Sequence, residues 1–346
     1  LEDAEAVFRA ASGVLGDHLC RIPDGETGER AAWIAWQGAS FAGNDVFEDV
    51  PPPIGNIPFA RSFQLRAGVD PAAVRFSDLG FAEKALASYA TFARLQVAEI
   101  IPARTRFQVS LPTPPAIISR FVAERDQATV EPAYERAMLA ELARIARAIP
   151  HDRLAIQWDV AYEISMWERA AGHPDLQQRG NGAWFAGVQA GIIERLARFG
   201  DAVPRDVELG YHFCYGDRRT NDGTRGAHFA QPRDTAVIVD VITNLVAVLQ
   251  HRLAWVHLPV PIERDDLAYF APLERLRLPA TTNIYLGLLH DQDGIEGALR
   301  RITAASSALD GFGVATECGF GRRPPETIPA LLELHRSVCD RLEAGR

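Results

Sequence analysis

His212 and Cys214 stand two positions apart in Gly210-Tyr211-His212-Phe213-Cys214-Tyr215. If this run is a strand, its period of two puts the imidazole and the thiol on one face. A second cysteine, Cys318, follows another short β-rich run in Ala315-Thr316-Glu317-Cys318-Gly319. One imidazole and two thiolates suit a borderline-soft divalent ion such as zinc. His257, in Trp255-Val256-His257-Leu258-Pro259, is the candidate to complete a tetrahedral set. Asp159 and Glu163, in Trp158-Asp159-Val160-Ala161-Tyr162-Glu163, and His290, next to Asp291, offer groups that could move a proton or hold a substrate. Each of these residues also has an ordinary reading. A buried cysteine is most often a small hydrophobe, and a polar residue at a strand end is most often a cap. What favours chemistry is that all of them fall at strand ends. Cys20, beside His18, and Cys339, in the final helix, read as structural.

A scaffold must bring these distant stretches together. Short β-rich runs recur at His18–Ile22, Ser62–Arg66, Arg106–Leu111, Arg153–Trp158, Asp206–Phe213, Leu253–Leu258, Asn283–Leu289 and Phe312–Thr316. Between them lie helical stretches at Phe81–Ile100, Glu131–Ile149, Ala183–Phe199, Asp234–Gln250, Asp293–Leu309 and Pro324–Leu342. Met138, Leu142, Ile145 and Ile149 are spaced by three and four and so share one helix face. Eight strands alternating with helices predict an α/β fold, a single-domain (β/α)8 TIM barrel over residues 1–346. Inserted loops are expected at about 38–60, which contains Pro51, Pro52 and Pro53, and at about 164–182. The rival is an open doubly wound sheet, but Pro23-Asp24-Gly25-Glu26-Thr27-Gly28 lacks the G-x-G-x-x-G spacing that such a sheet would carry there. In a parallel barrel the active site lies at the C-terminal strand ends, where the residues above fall.

The 346 residues suffice for one large core, and a 47% hydrophobic share excludes global disorder. With 36 basic against 45 acidic side chains the net charge is −9. That balance argues against nucleic acid and anionic membranes as partners and leaves a small molecule, with self-association open. No apolar run is long enough to span a bilayer, and no secretory leader is evident. Four scattered cysteines make no disulfide scaffold, so a reducing, cytoplasmic setting is expected.

In order along the chain, these motifs resemble the catalytic barrel of cobalamin-independent methionine synthase, within its wider superfamily of single- and double-barrel enzymes. That family reads His-Met-Cys-Tyr where this chain has His212-Phe213-Cys214-Tyr215. It reads Asp-Cys-Gly-Leu-Lys-Thr-Arg where this chain has Glu317-Cys318-Gly319-Phe320-Gly321-Arg322-Arg323, and Ile-Asp-Glu-Pro where this chain has Trp158-Asp159-Val160-Ala161. Its Tyr-Asp-Ile-His strand is loosely similar to the run ending in Leu289-His290, and its Gly-Pro-Val-Thr turn to Leu111-Pro112-Thr113-Pro114. The resemblance spans roughly residues 100–335. It implies zinc held by His212, Cys214 and Cys318, binding a substrate thiol as thiolate for attack on a carbon electrophile. It further implies that Asp159 holds an amino group of the acceptor and that His290 moves a proton near the leaving group.

The departures bear on substrate. The family's glutamate ligand lies on the strand that here offers His257; Glu263 comes later. Two thiolates and two imidazoles would leave zinc formally neutral, which favours activation of a bound oxygen over thiolate attack. The family's Gly-Ser turn is replaced by Arg21-Ile22-Pro23-Asp24-Gly25-Glu26-Thr27-Gly28-Glu29-Arg30, followed by Trp33, Trp36 and Gln37. Asp24, Glu26 and Arg30 could clamp a charged substrate, and Trp158, Trp184, Tyr211, Tyr215 and Phe320 could line an apolar pocket. Arg218-Arg219 and Arg322-Arg323 could receive an anionic tail. There is room for one barrel, whereas the methionine synthase has two. Three functions therefore stand: zinc-dependent methyl or alkyl transfer to a thiol, as in the epoxide:coenzyme M type; a zinc lyase or hydrolase; and a non-catalytic metal-binding barrel.

Overall fold

The computed structural model describes residues 1–51, 61–173, 182–216, 231–321 and 323–344. The strands are β1 (Arg21–Pro23), β2 (Phe47–Val50), β3 (Ser62–Leu65), β4 (Arg106–Pro112), β5 (Leu154–Val160), β6 (Glu208–Phe213), β7 (Leu253–Pro259), β8 (Asn283–Leu289) and β9 (Gly313–Thr316). The α-helices are α1 (Ala4–Leu15), α2 (Gly38–Ala42), α3 (Phe81–Val97), α4 (Pro114–Phe121), α5 (Gln127–Ala148), α6 (Tyr162–Ala170), α7 (Val188–Asp201), α8 (Ala236–Val248), α9 (Leu267–Phe270), α10 (Gly294–Ala305) and α11 (Ile328–Ala344).

One parallel sheet runs in the order β1-β4-β5-β6-β7-β8-β9. Among the described residues it has seven strands, where eight were expected. The difference lies in the stretch beginning at Ser62. That stretch is a strand, but it pairs antiparallel with β2, Phe47 opposite Leu65 and Val50 opposite Ser62. An isolated bridge also joins Phe63 to Val122, just after α4. Phe41 packs against Phe47, Phe63, Phe121 and Tyr134, so aromatic contacts join this hairpin to α4, α5 and the main core. The stretch expected as a loop from 38 therefore contains α2 and β2, and the stretch expected as a loop from 164 continues α6. Residues 52–60 and 174–181 lie outside the described residues, as do Arg218, Arg219 and Arg322.

Alternation along the strands sorts the side chains. Ile156, Trp158 and Val160 are fully buried, and Trp158 packs on Phe199 of α7. Gln157 and Asp159 take the other face. There Gln157 Nε2 donates to Ser110 Oγ on β4 (3.3 Å), and Trp255 Nε1 on β7 donates to Gln157 Oε1 (3.3 Å). The second bond passes over β6 at Gly210, where an added Cβ would lie 2.0 Å from the Trp255 indole. Below it, Arg21 stacks 4.1 Å over Trp255 and donates to Glu208 (2.6 Å). The concave face is thus a polar ladder, and the convex face is the apolar seat of the helices.

Candidate metal centre

Cys214 follows β6 and Cys318 follows β9, three strands away. On a flat sheet that separation would be about 14 Å. Curling brings their Sγ atoms to 3.9 Å. His212, Cys214 and Cys318 each offer a ligand atom, and the three atoms lie within 4.8 Å of one another. Two sulfurs bound tetrahedrally to zinc at about 2.3 Å would be about 3.8 Å apart, so the donor set fits that ion.

Local bonds hold each donor. The Cys214 N–H donates to Val160 O (2.9 Å), tying the end of β6 to β5, and the Gly216 N–H donates to Cys214 Sγ (3.2 Å). Thr316 Oγ1 donates to Cys318 O (2.7 Å), which tightens the turn carrying the second thiol. Gly287 of β8 lets that turn approach. A Cβ there would fall 2.6 Å from the Cα of Glu317.

His257, expected as a fourth ligand, stands outside this group of three. Its ring stacks on His212 at 4.5 Å, and its Nε2 donates to Thr316 O (2.9 Å). Burial, with the neighbouring His212, pushes its pKa down to about 3, so the ring stays neutral. His257 thus links β9 to the ring of His212. Nothing in a single sequence separates a brace from a ligand when both lie in phase on one strand.

Asp159 pairs in register with His212 across β5 and β6. Burial raises its pKa to about 6, against the pull of His212 and of the Gln157 amide, which donates at 2.9 Å. Glu163 lies in the first turn of α6, fully buried, and burial pushes it to about 7. His290 follows β8, buried, with Nε2 donating to Val260 O (2.9 Å). The buried guanidinium of Arg323 pairs with Asp291 instead of standing open for an anion.

Side-chain bonds also hold the loop after β1. Asp24 is buried and accepts from Arg30 Nη2 (2.7 Å), Ser88 Oγ (2.7 Å) and the Glu26 N–H (3.0 Å). Its charge is therefore matched by Arg30, and the two line a small pocket of about 20 Å³ with Glu26, Gln108, Ser110 and Phe81. Trp158 and Tyr211, expected to face a substrate, belong to the core. Trp158 faces α7, and Tyr211 donates its hydroxyl to Leu196 O (2.8 Å) on the same helix. Each sits one residue out of phase with Asp159 or His212, a signal present in the sequence. Trp184 donates to Glu131 (2.7 Å), and Phe320 packs on His335. Cys20 is exposed just before β1, and Cys339 is half-buried in α11. Among the described residues no helix is long and apolar enough to cross a membrane.

No known protein-family profile and no curated protein matches the sequence. Solved structures do. A candidate vitamin-B12-independent methionine synthase from Listeria monocytogenes matches with a TM-score of 0.52 at 15% identity, over 97% of this chain and 86% of that one. A B12-independent methionine synthase from Shewanella sp. W3-18-1, in complex with selenomethionine, matches with a TM-score of 0.56 at 14% identity, over 99% of this chain and 88% of that one. Over nearly its whole length, the chain shares the fold of these B12-independent methionine synthase structures.

Proposed function

We propose that the chain is a zinc-dependent enzyme that transfers a methyl or alkyl group to a thiol acceptor. The observation that carries this is the meeting of His212, Cys214 and Cys318, with sulfurs 3.9 Å apart, at the C-terminal rim of a parallel sheet. Zinc, when bound, lowers the pKa of a coordinated thiol so that thiolate is present at neutral pH. His212, Cys214 and Cys318 would hold it, and three protein donors are the number usual at catalytic zinc. Asp159, ionised above about pH 6, receives the acceptor's ammonium group. His290, whose Nε2 donates to Val260 O, moves a proton near the leaving group. The shared fold of B12-independent methionine synthases supports this reading, one of them being a complex with selenomethionine. The matched charges of Asp24 and Arg30 argue for an acceptor other than one read by a bare arginine.

Metal analysis of the purified chain, followed by zinc-edge X-ray absorption, tests the proposal. The expected result is about one zinc per chain with two protein sulfurs, and a third sulfur after thiol addition. Absence of zinc from folded protein overturns it. Zinc that gains no third sulfur with any thiol moves the reading to a lyase or hydrolase in which zinc polarises an oxygen.

A further inference from the structure

The loop between β1 and α2 holds two non-glycine residues in left-handed backbone, Glu26 (φ +48°) and Trp33 (φ +56°). For a bulky aromatic residue that conformation persists only where the surroundings impose it. Here they do. The Trp33 N–H donates to Arg30 O (2.9 Å), and Arg30 is fastened to Asp24. On the other side Ile34 is buried, and Gln37 is locked between Leu79 O (2.9 Å) and the Tyr134 hydroxyl (2.7 Å).

What the strained backbone achieves is placement. The Trp33 indole stacks on Tyr162 with centroids 6.4 Å apart and planes 21° apart. Tyr162 lies three residues beyond Asp159, and the Trp33 side chain reaches the Asp159 carboxyl as well. Two residues earlier, the Ala31 carbonyl abuts Gly321, where an added Cβ would stand 3.2 Å away. Gly321 lies three residues beyond Cys318. Residues 31–33 therefore run from the Cys318 turn to the Asp159–Tyr162 end, across the mouth that holds the ligand group. Trp33 itself is only half-buried.

We infer that Trp33 is the gate of this centre: its indole covers the His212–Cys214–Cys318 group and sets the size of the small molecule that reaches it. The identity of that molecule as a thiol rests on the function proposed above; the gate does not.

Cysteine alkylation in metal-free protein, resolved by peptide mass spectrometry, tests the gate without zinc or substrate. Iodoacetamide serves as the small reagent and fluorescein maleimide as the bulky one. Each rate is divided by that of exposed Cys20 in the same sample. Access and thiolate fraction control such rates, so in the wild type the bulky reagent should be disfavoured at Cys318 by about tenfold or more relative to the small one. Trp33→Gly, which suits the left-handed backbone, should abolish most of that discrimination, and Trp33→Phe should keep it. Trp33→Asn, tolerated at the same φ, repeats the test should the glycine variant fold poorly. Unchanged discrimination in the glycine and asparagine variants overturns the gate. So does a rise shared by half-buried Cys339, which would mark general loosening. A wild type that carries no zinc yet discriminates by size would sink the proposed function and leave the gate standing.

Discussion

The Sγ atoms of Cys214 and Cys318 lie 3.9 Å apart although 104 positions separate the two residues in the chain. That spacing is too long for a disulfide, at about 2.05 Å, and suits two thiolates sharing one cation. Cys318 is half-buried at the rim, so its removal spares the core. Cys318→Ala should lose zinc while its metal-free form unfolds within about 1 kcal/mol of metal-free wild type. Metal analysis and denaturant titration check both halves. Tight zinc retained by the variant would place the centre elsewhere.

His257→Gln should weaken zinc binding by about 10–100-fold without abolishing it, as expected for a residue that steadies ligands. Competition with a chromophoric chelator measures this. The same variant carries a pH signature in metal-free protein. The folded ring has its pKa lowered to about 3, so the unfolded chain takes up a proton first as pH falls below about 6.5. Wild-type stability should then fall from pH 6 to pH 4 by up to about 1.4 kcal/mol per unit more than that of the variant. Parallel slopes would refute the neutral, buried ring.

Glu163 works in the opposite sense. Its carboxyl is raised to about 7 by burial, so the folded protein holds a proton that the unfolded chain has already lost. Wild-type stability should decline as pH rises from about 4.5 to about 7. Glu163→Gln should match wild type near pH 5 and exceed it at pH 8 by about 1–3 kcal/mol. Guanidinium titrations at the two pH values decide it, and a variant less stable at both would show that the ionised carboxylate is held favourably.

Gly287→Ala tests the approach of β8 to the second thiol. The added methyl would meet backbone of Glu317 at 2.6 Å and of Thr316 at 3.1 Å, so the turn bearing Cys318 must shift. A stability loss of about 1–3 kcal/mol and a zinc affinity lowered about tenfold or more are expected. At Gly311 an added Cβ meets nothing within 4 Å, so Gly311→Ala serves as the control. Equal zinc affinity in the two variants would show that the close approach is idle.

Much of this arrangement could be read from the residue string. Period two set His212 and Cys214 on one face of β6, and the βα rhythm put Cys318 at another strand end. β5 was legible because its apolar Ile156, Trp158 and Val160 alternate with the polar Gln157 and Asp159. The stretch at Ser62 was legible as a strand but not in its pairing. Four or five alternating residues look the same in a hairpin and in a barrel, and its partner Phe47-Glu48-Asp49-Val50 carries two acids that hide it. The roles of His257 and Trp33 were not legible, because each depends on which atom a neighbouring chain segment presents. Trp158 and Tyr211 could have been assigned correctly by strict alternation from Asp159 and His212.

Among the described residues, β9 is the terminal strand of the sheet and pairs in it with β8 alone. A cation gripped by Cys318 on one side and by the β6 end on the other would act as a rivet through the last βα unit. Loading and stripping the ion would then fasten and release the C-terminal portion of the chain. Amide exchange over β9 and α11 would slow or quicken accordingly, while the hairpin of β2 and β3 kept its pace.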